Sequence, residues 1–197
     1  MSMDAGRQSL RSSARLTVEH LARLSELAQA DHEHFTRDDG RPEYRDRRLV
    51  VVLAQGAAQH FVDHRHGVKD LDVWTYYAEL SGQRFPADKR ETHADFGPSV
   101  FGRQWYDMSK ARNAREFARW ERWDAYEGRR VDFMTRTLPV RPGVKVRHIV
   151  TALQDWLDAG AASTAATQPS AWWLARSAVV VIDPPRHRGS IVWPRRG

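Results

Sequence analysis

The 197-residue chain contains no cysteine, which excludes a disulfide framework, a thiolate zinc site and a cysteine nucleophile. Cytoplasmic residence is the expectation that this absence supports. No run of apolar residues approaches the ~20 needed to cross a bilayer. The first residues, MSMDAGRQSLRSSARL, carry arginine without the apolar stretch of a secretion signal. No membrane association is expected. Lysine is scarce, standing only at Lys69, Lys89, Lys110 and Lys145, so arginine supplies most of the net charge of +6. A basic balance suits a polyanionic partner such as RNA or nucleotide phosphates, yet no block of like charge is long enough to serve as a nucleic-acid-binding arm. No internal repeat is present either. What remains, 41% hydrophobic and 28% charged residues, is the composition of a folded globular chain.

Hydrophobic periodicity divides the chain. LTVEHLARLSELAQA, residues 16–30, places Val18, Leu21, Leu24, Leu27 and Ala28 at helical steps behind Thr17 as N-cap. The polar DHEHFTRDDGRPEYRDR that follows reads as a loop. RLVVVL, residues 48–53, reads as a buried strand, and QGAAQHFVDHR as a helix entered through a turn at Gly56 and broken by Gly67. Lys69 to Tyr77 reads as a second strand with Asp70 and Asp72 at its start. Residues 80–128 form an insertion whose first half looks irregular. Its second half reads as a helix from Ser109 through Ala114, Phe117, Trp120 and Trp123 to Gly128 at the C′ position, or as a hairpin turning at Glu127-Gly128. RRVDFMTRTL is a third strand containing Asp132, and residues 144–157 an amphipathic helix. DAGAASTAATQPS is a small-residue linker, AWWLARSAVVVID a helix running into a strand, and the tail frays unless Ile191 to Trp193 docks.

Three features then align: a glycine turn between strand and helix, an Asp-x-Asp on the next strand, and a lone aspartate inside a later apolar strand. Residues i and i+2 of a strand share a face, so Asp70 and Asp72 stand side by side, and two like charges there need a cation or a strong donor. A third carboxylate from a neighbouring strand completes an oxygen donor set for one or two divalent ions. The helix start at Gly56 directs backbone N–H groups at an anion, and the missing side chain lets a phosphate approach. Carboxylate-bound metal facing a phosphate turn meets the requirements of phosphoryl or nucleotidyl transfer.

The stretches AQGAAQHFVDHRHGVKDLDVW and RRVDFM resemble the nucleotidyltransferase superfamily with the polymerase β-like fold. Its pattern is an apolar residue, Gly, then Gly or Ser, roughly a dozen residues to Asp-x-Asp or Asp-x-Glu, and a third acidic residue in a later strand. The resemblance covers residues 49–138. It implies an α+β fold with a small mixed sheet covered by helices, and three parts: a helical extension at 1–45, the core at 46–140 with its insertion at 80–128, and a C-terminal helix, linker and apolar segment at 141–197. It implies that Asp70 and Asp72 ligate the metals, Mg²⁺ or Mn²⁺, and that Asp132 ligates the catalytic one and helps activate an acceptor hydroxyl. Gly56, Ala57 and Lys69 would hold the triphosphate of an NTP. The product would be a nucleotidylated acceptor, an RNA, a protein or a small molecule, with release of pyrophosphate.

Ala57 departs from the pattern, since alanine offers no hydroxyl to phosphate. Lys69, Arg103, Lys110, Arg112, Arg129 and Arg136 are candidates to replace that contact. The departure also supports a rival expectation, a catalytically degenerate member acting as a binding or regulatory protein. A third class, a basic nucleic-acid-binding protein without catalysis, predicts salt-sensitive oligonucleotide binding. The remaining motifs read as ordinary structure. His60, His64 and His66 lack a cysteine or an H-E-x-x-H frame and read as a solvated helix face rather than a zinc site. His32 and His34 fall in the polar loop. Trp120, Trp123, Trp172 and Trp173 read as core packing rather than base-stacking platforms, and the arginine-rich tail as a solvated end.

Overall fold

The computed structural model describes residues 11–80, 91–102, 111–115, 117–118, 128–164 and 169–195. Six strands join in one mixed sheet: β1 (Arg48–Ala54), β2 (Leu71–Ala78), β3 (Glu91–Asp95), β4 (Arg130–Leu138), β5 (Ala178–Asp183) and β6 (Ile191–Trp193). Their order is β3-β4-β2-β1-β5-β6, with β2 and β4 parallel and every other pair antiparallel. Helices α1 (Val18–Arg37) and α2 (Gln55–Asp63) cover one face; α3 (Val146–Ala161) and α4 (Pro169–Leu174) cover the other. This is an α+β fold.

The central strand explains why RLVVVL is apolar throughout. Val51 and Leu53 point to the α1/α2 side, and Val50, Val52 and Ala54 to the α3/α4 side, all buried. A strand covered on both faces has no solvent side to alternate toward. β2 is likewise divided: Leu71 and Val73 face α1 and α2, whereas Trp74, Tyr76 and Ala78 face α3 and α4. By the period of two, Asp72 belongs to the face of Trp74.

Several expectations are corrected. Helix α1 does not stop near Ala30 but runs to Arg37, so His32 and His34 are helical and not in a loop. The polar residues that disguise its second half occupy the buried stripe by pairing. Thr92 Oγ1 donates to Asp31 Oδ1 at 2.6 Å, and His32 Nδ1 lies 2.9 Å from the Tyr77 hydroxyl. Thr17 is the N-cap as expected, its N–H donating to His20 Nδ1 at 3.0 Å. The first half of the insertion contains β3, which pairs with β4. Gly67 does not end α2: the helix closes at His64 in the left-handed region at φ 58°. Strand β2 begins at Leu71, leaving Asp70 one residue outside it.

Gly128 is not a left-handed C′ residue. It is glycine because a Cβ there would stand 1.8 Å from Asp95 Oδ1. Residues 114–115 and 117–118 are helical; Ser109, Trp120, Trp123 and a hairpin turn at Glu127 lie outside the described residues. Trp173 is not core but 60% exposed, and Trp172 stacks beneath the Arg176 guanidinium at 4.0 Å. The segment 158–161 read as linker is the last turn of α3. The tail docks: β6 pairs with β5, and Arg195 Nη2 reaches Asp155 at 2.7 Å and Asp158 at 2.6 Å.

Candidate functional site

Strand register assembles the site. Ala54, the last residue of β1, pairs with Asp72; Asp72 pairs with Asp132 across the parallel β2/β4 ladder; Asp132 pairs with His93 on β3. These four residues form one row across the sheet, and directly paired residues share a face. Asp70, two positions before Asp72, joins the same side. The turn into α2 follows Ala54 immediately, so Gly56 stands at the β1 end of the row. The structure therefore sets Asp70, Asp72 and Asp132 on one side of the sheet, with Gly56 two residues beyond Ala54 in the chain.

Arg130, two residues before Asp132, reaches across them. Its Nη2 donates to Asp132 Oδ2 at 2.7 Å and to Asp70 Oδ2 at 3.4 Å. Lys69 Nζ lies 3.4 Å from the same Asp70 oxygen, and His93 Nδ1 meets Asp132 Oδ1 at 2.6 Å. Asp72 differs: among the described residues its carboxylate has no hydrogen-bond or ion-pair partner. Burial, and after it the charges of Asp70 and Asp132, push its carboxyl well above the usual carboxylate range, with Arg130 and Lys69 opposing.

The turn expected to hold phosphate joins β1 directly to α2. Helix α2 leaves β1 through Gln55, which takes a left-handed φ of 57°. At Gly56 a Cβ would meet only Arg11 Nη1, at 3.5 Å, an ordinary van der Waals contact, so neither space nor φ requires glycine there. Arg11 is set there by a bridge between Ser12 and Val68 and also donates to the His66 carbonyl at 3.1 Å. Ala57 is buried in the core beneath α2, so it presents only backbone to this turn.

Of the proposed replacement cations, Lys69 adjoins the site. Arg129 is buried and fixed, donating to the Lys69 carbonyl at 2.9 Å and to the Phe101 carbonyl; it holds the loop carrying Asp70 instead of facing a ligand. Arg136 sits four residues along β4 from Asp132, about 13 Å away, and Arg112 is exposed in the 111–115 segment. Arg103 and Lys110 lie outside the described residues.

The histidine motif also takes a different form. His60 is fully buried rather than on a solvated face. Its Nδ1 accepts the Gly67 N–H at 3.0 Å, so Nε2 carries the proton and donates to the Ala14 carbonyl at 3.0 Å. His64 is exposed, and His66 pairs with Asp63 at 2.6 Å.

The donor set can be tested against a dication. Three carboxylate groups in a row are hard oxygen ligands of the kind Mg²⁺ and Mn²⁺ take, and the uncompensated Asp72 is the group a cation would relieve. The side chains do not converge, however. Among the described residues no group of three or more His, Asp or Glu is disposed to hold an ion, and Arg130 Nη2 stands between Asp70 and Asp132. Residue chemistry fits the ion only with the arginine moved aside. Comparison with known proteins finds no matching family model, no matching curated protein and no matching solved structure.

Proposed function

We propose that the chain is a metal-dependent nucleotidyltransferase, moving a nucleoside monophosphate from an NTP to a hydroxyl acceptor. The observation that supports this most is the row Ala54, Asp72, Asp132, which sets two facing carboxylates beside the start of α2. Asp70, Asp72 and Asp132 would hold Mg²⁺ or Mn²⁺. When bound, the ion neutralises triphosphate charge and makes the acceptor hydroxyl more acidic. The backbone N–H groups at Gly56 and Ala57, with Arg11 and Lys69, take the phosphates. The acceptor oxygen bonds to the α-phosphorus as the bond to the β-bridging oxygen breaks, and pyrophosphate leaves with that electron pair. The hydroxyl proton passes to Asp132, which His93 orients through its other oxygen. The acceptor, RNA, protein or small molecule, is distinguished by which one carries label from NTP.

A second reading rests on its own observation. Arg130 and Lys69 already pair with Asp70 and Asp132, and Ala57 offers the turn no hydroxyl, as in a binding or regulatory protein that has lost the chemistry. Calorimetric titration of the full chain with each NTP, with and without Mg²⁺, separates the two. The enzyme reading expects dication-dependent NTP affinity, abolished in Asp72→Asn and Asp132→Asn variants that still melt cooperatively. Absence of any dication-dependent NTP binding by the parent chain rejects it.

A further inference from the structure

A second polar group stands further along the face that carries the carboxylates. Arg136 pairs with Tyr76 across β2 and β4, and its guanidinium carbon lies 5.0 Å from the centre of the Trp74 ring. Nε and Nη2 donate to the Ser170 hydroxyl of α4 at 3.1 and 2.8 Å, and Nη1 donates to the Thr135 carbonyl at 2.6 Å. Among the described residues no carboxylate pairs with this half-buried cation. Tyr76 is fully buried, and its hydroxyl has no hydrogen-bond partner among the described residues. The indole Nε1 of Trp74, a residue 4% exposed, has none either. Arg136 is the charge that acts on the Tyr76 phenol, so these groups form one cluster.

The cluster has donors in excess. The guanidinium alone takes the serine oxygen and the carbonyl, and the phenol and the indole N–H beside it are left without an acceptor. An unmade hydrogen bond on a buried group costs roughly 1–3 kcal/mol, and charged side chains are rarely buried unless paired. A water molecule would satisfy the phenol or the indole but would bring no charge to Arg136. What is lacking is an acceptor that is also negative. The planar fork of arginine matches carboxylate and phosphate oxygens.

We propose that Arg136, Ser170, Tyr76 and Trp74 form a binding site for the oxyanion of a small molecule, a carboxylate or phosphate group, distinct from the carboxylate row. Half-buried Ser170 and Trp156, the latter edge-on to Tyr76 at 5.7 Å, cover the group. The anion takes the edge of the guanidinium that Ser170 now occupies. The site does not depend on nucleotidyl transfer.

The test is a titration of the full chain with inorganic phosphate and, separately, acetate, following the Trp74 indole N–H resonance. Saturable movement of that resonance is expected, and the anion that saturates at lower concentration identifies the oxyanion class. Arg136→Gln should abolish it, and Tyr76→Phe should weaken it about fivefold, the worth of one hydrogen bond near 1 kcal/mol. Should Arg136→Gln fail to fold, Arg136→Lys keeps the charge, loses the fork and should bind at least as weakly as Tyr76→Phe. No movement up to tens of millimolar of either anion overturns the site. So does equal movement in the Arg136 variants, or indole and phenol protons found bonded to water alone in the presence of anion.

Discussion

Asp72→Asn separates a carboxylate kept for an ion from one kept for structure. Asp72 and Asp132 are directly paired on adjacent strands, about 5 Å apart. At an effective dielectric near 20, two unit charges at that distance repel by about 3 kcal/mol. Asp70 adds a similar repulsion, and Arg130 and Lys69 return part of it, leaving a net cost of about 1–3 kcal/mol. The asparagine keeps the shape and removes the charge. In EDTA the variant should therefore melt higher than the parent, by roughly 2–4 °C per kcal/mol for a chain of this size. With Mn²⁺ at about a hundred times its dissociation constant, the parent should gain about 2.7 kcal/mol and the variant almost nothing, so the gap closes and, for any metal-free cost below that gain, the order of melting temperatures reverses. Differential scanning fluorimetry across a Mn²⁺ series measures both. A variant that melts below the parent in EDTA refutes the electrostatic strain assigned to Asp72, and equal Mn²⁺ stabilisation of both chains places any bound ion elsewhere.

Other perturbations follow from the same geometry. Arg130→Gln removes the nitrogen between Asp70 and Asp132; it should lower metal-free stability and raise Mn²⁺ affinity about tenfold, the equivalent of 1.4 kcal/mol, as read by Mn²⁺ titration. His60→Ala strands the Gly67 N–H and the Ala14 carbonyl in a buried place and should cost roughly 2–4 kcal/mol in urea denaturation. His64→Gly relieves a left-handed residue at an exposed helix end and should add about 0.5–1 kcal/mol. His32 has its pKa lowered, by burial and then by Arg48, from an ordinary value of 6.5. The fold thus favours the neutral ring. Its contribution is complete above pH 6.5 and is lost as pH falls from there through the depressed folded value. Stability followed between pH 8 and 5 should fall less steeply in His32→Gln than in the parent.

The parts of the fold legible in the sequence are those whose cause is local. Arg48 to Leu53 announces a doubly covered strand because every residue is apolar, and Thr17 announces a helix start through its own backbone bonding. The second half of α1 is not legible, since Asp31, His32 and Thr36 earn their buried positions from Thr92, Tyr77 and the helix backbone, partners distant in sequence or invisible to a hydropathy pattern. Strand β3 is missed for the same reason. Glu91 to Asp95 has no strand signal of its own, and its ladder with β4 is what makes it one.

The site divides along the same line. The spacing of Asp70 and Asp72 and the position of Asp132 follow from strand period alone, but the neighbours that decide their charge state do not. Arg130 is visible only as one of several arginines, His93 as a residue in an irregular insertion, and Arg11 as part of an unpatterned N-terminal stretch; register and the Ser12 to Val68 bridge bring them in. Their presence alters the electrostatic argument in a specific way. Three carboxylates face Arg130 and Lys69, and Asp72, the member with no donor among the described residues, is the one whose charged form burial and its neighbours disfavour. A protein stabilised by this row as structure alone would have little reason to retain that charge. An ion held by Asp70, Asp72 and Asp132, as proposed above, would give Asp72 the partner it lacks.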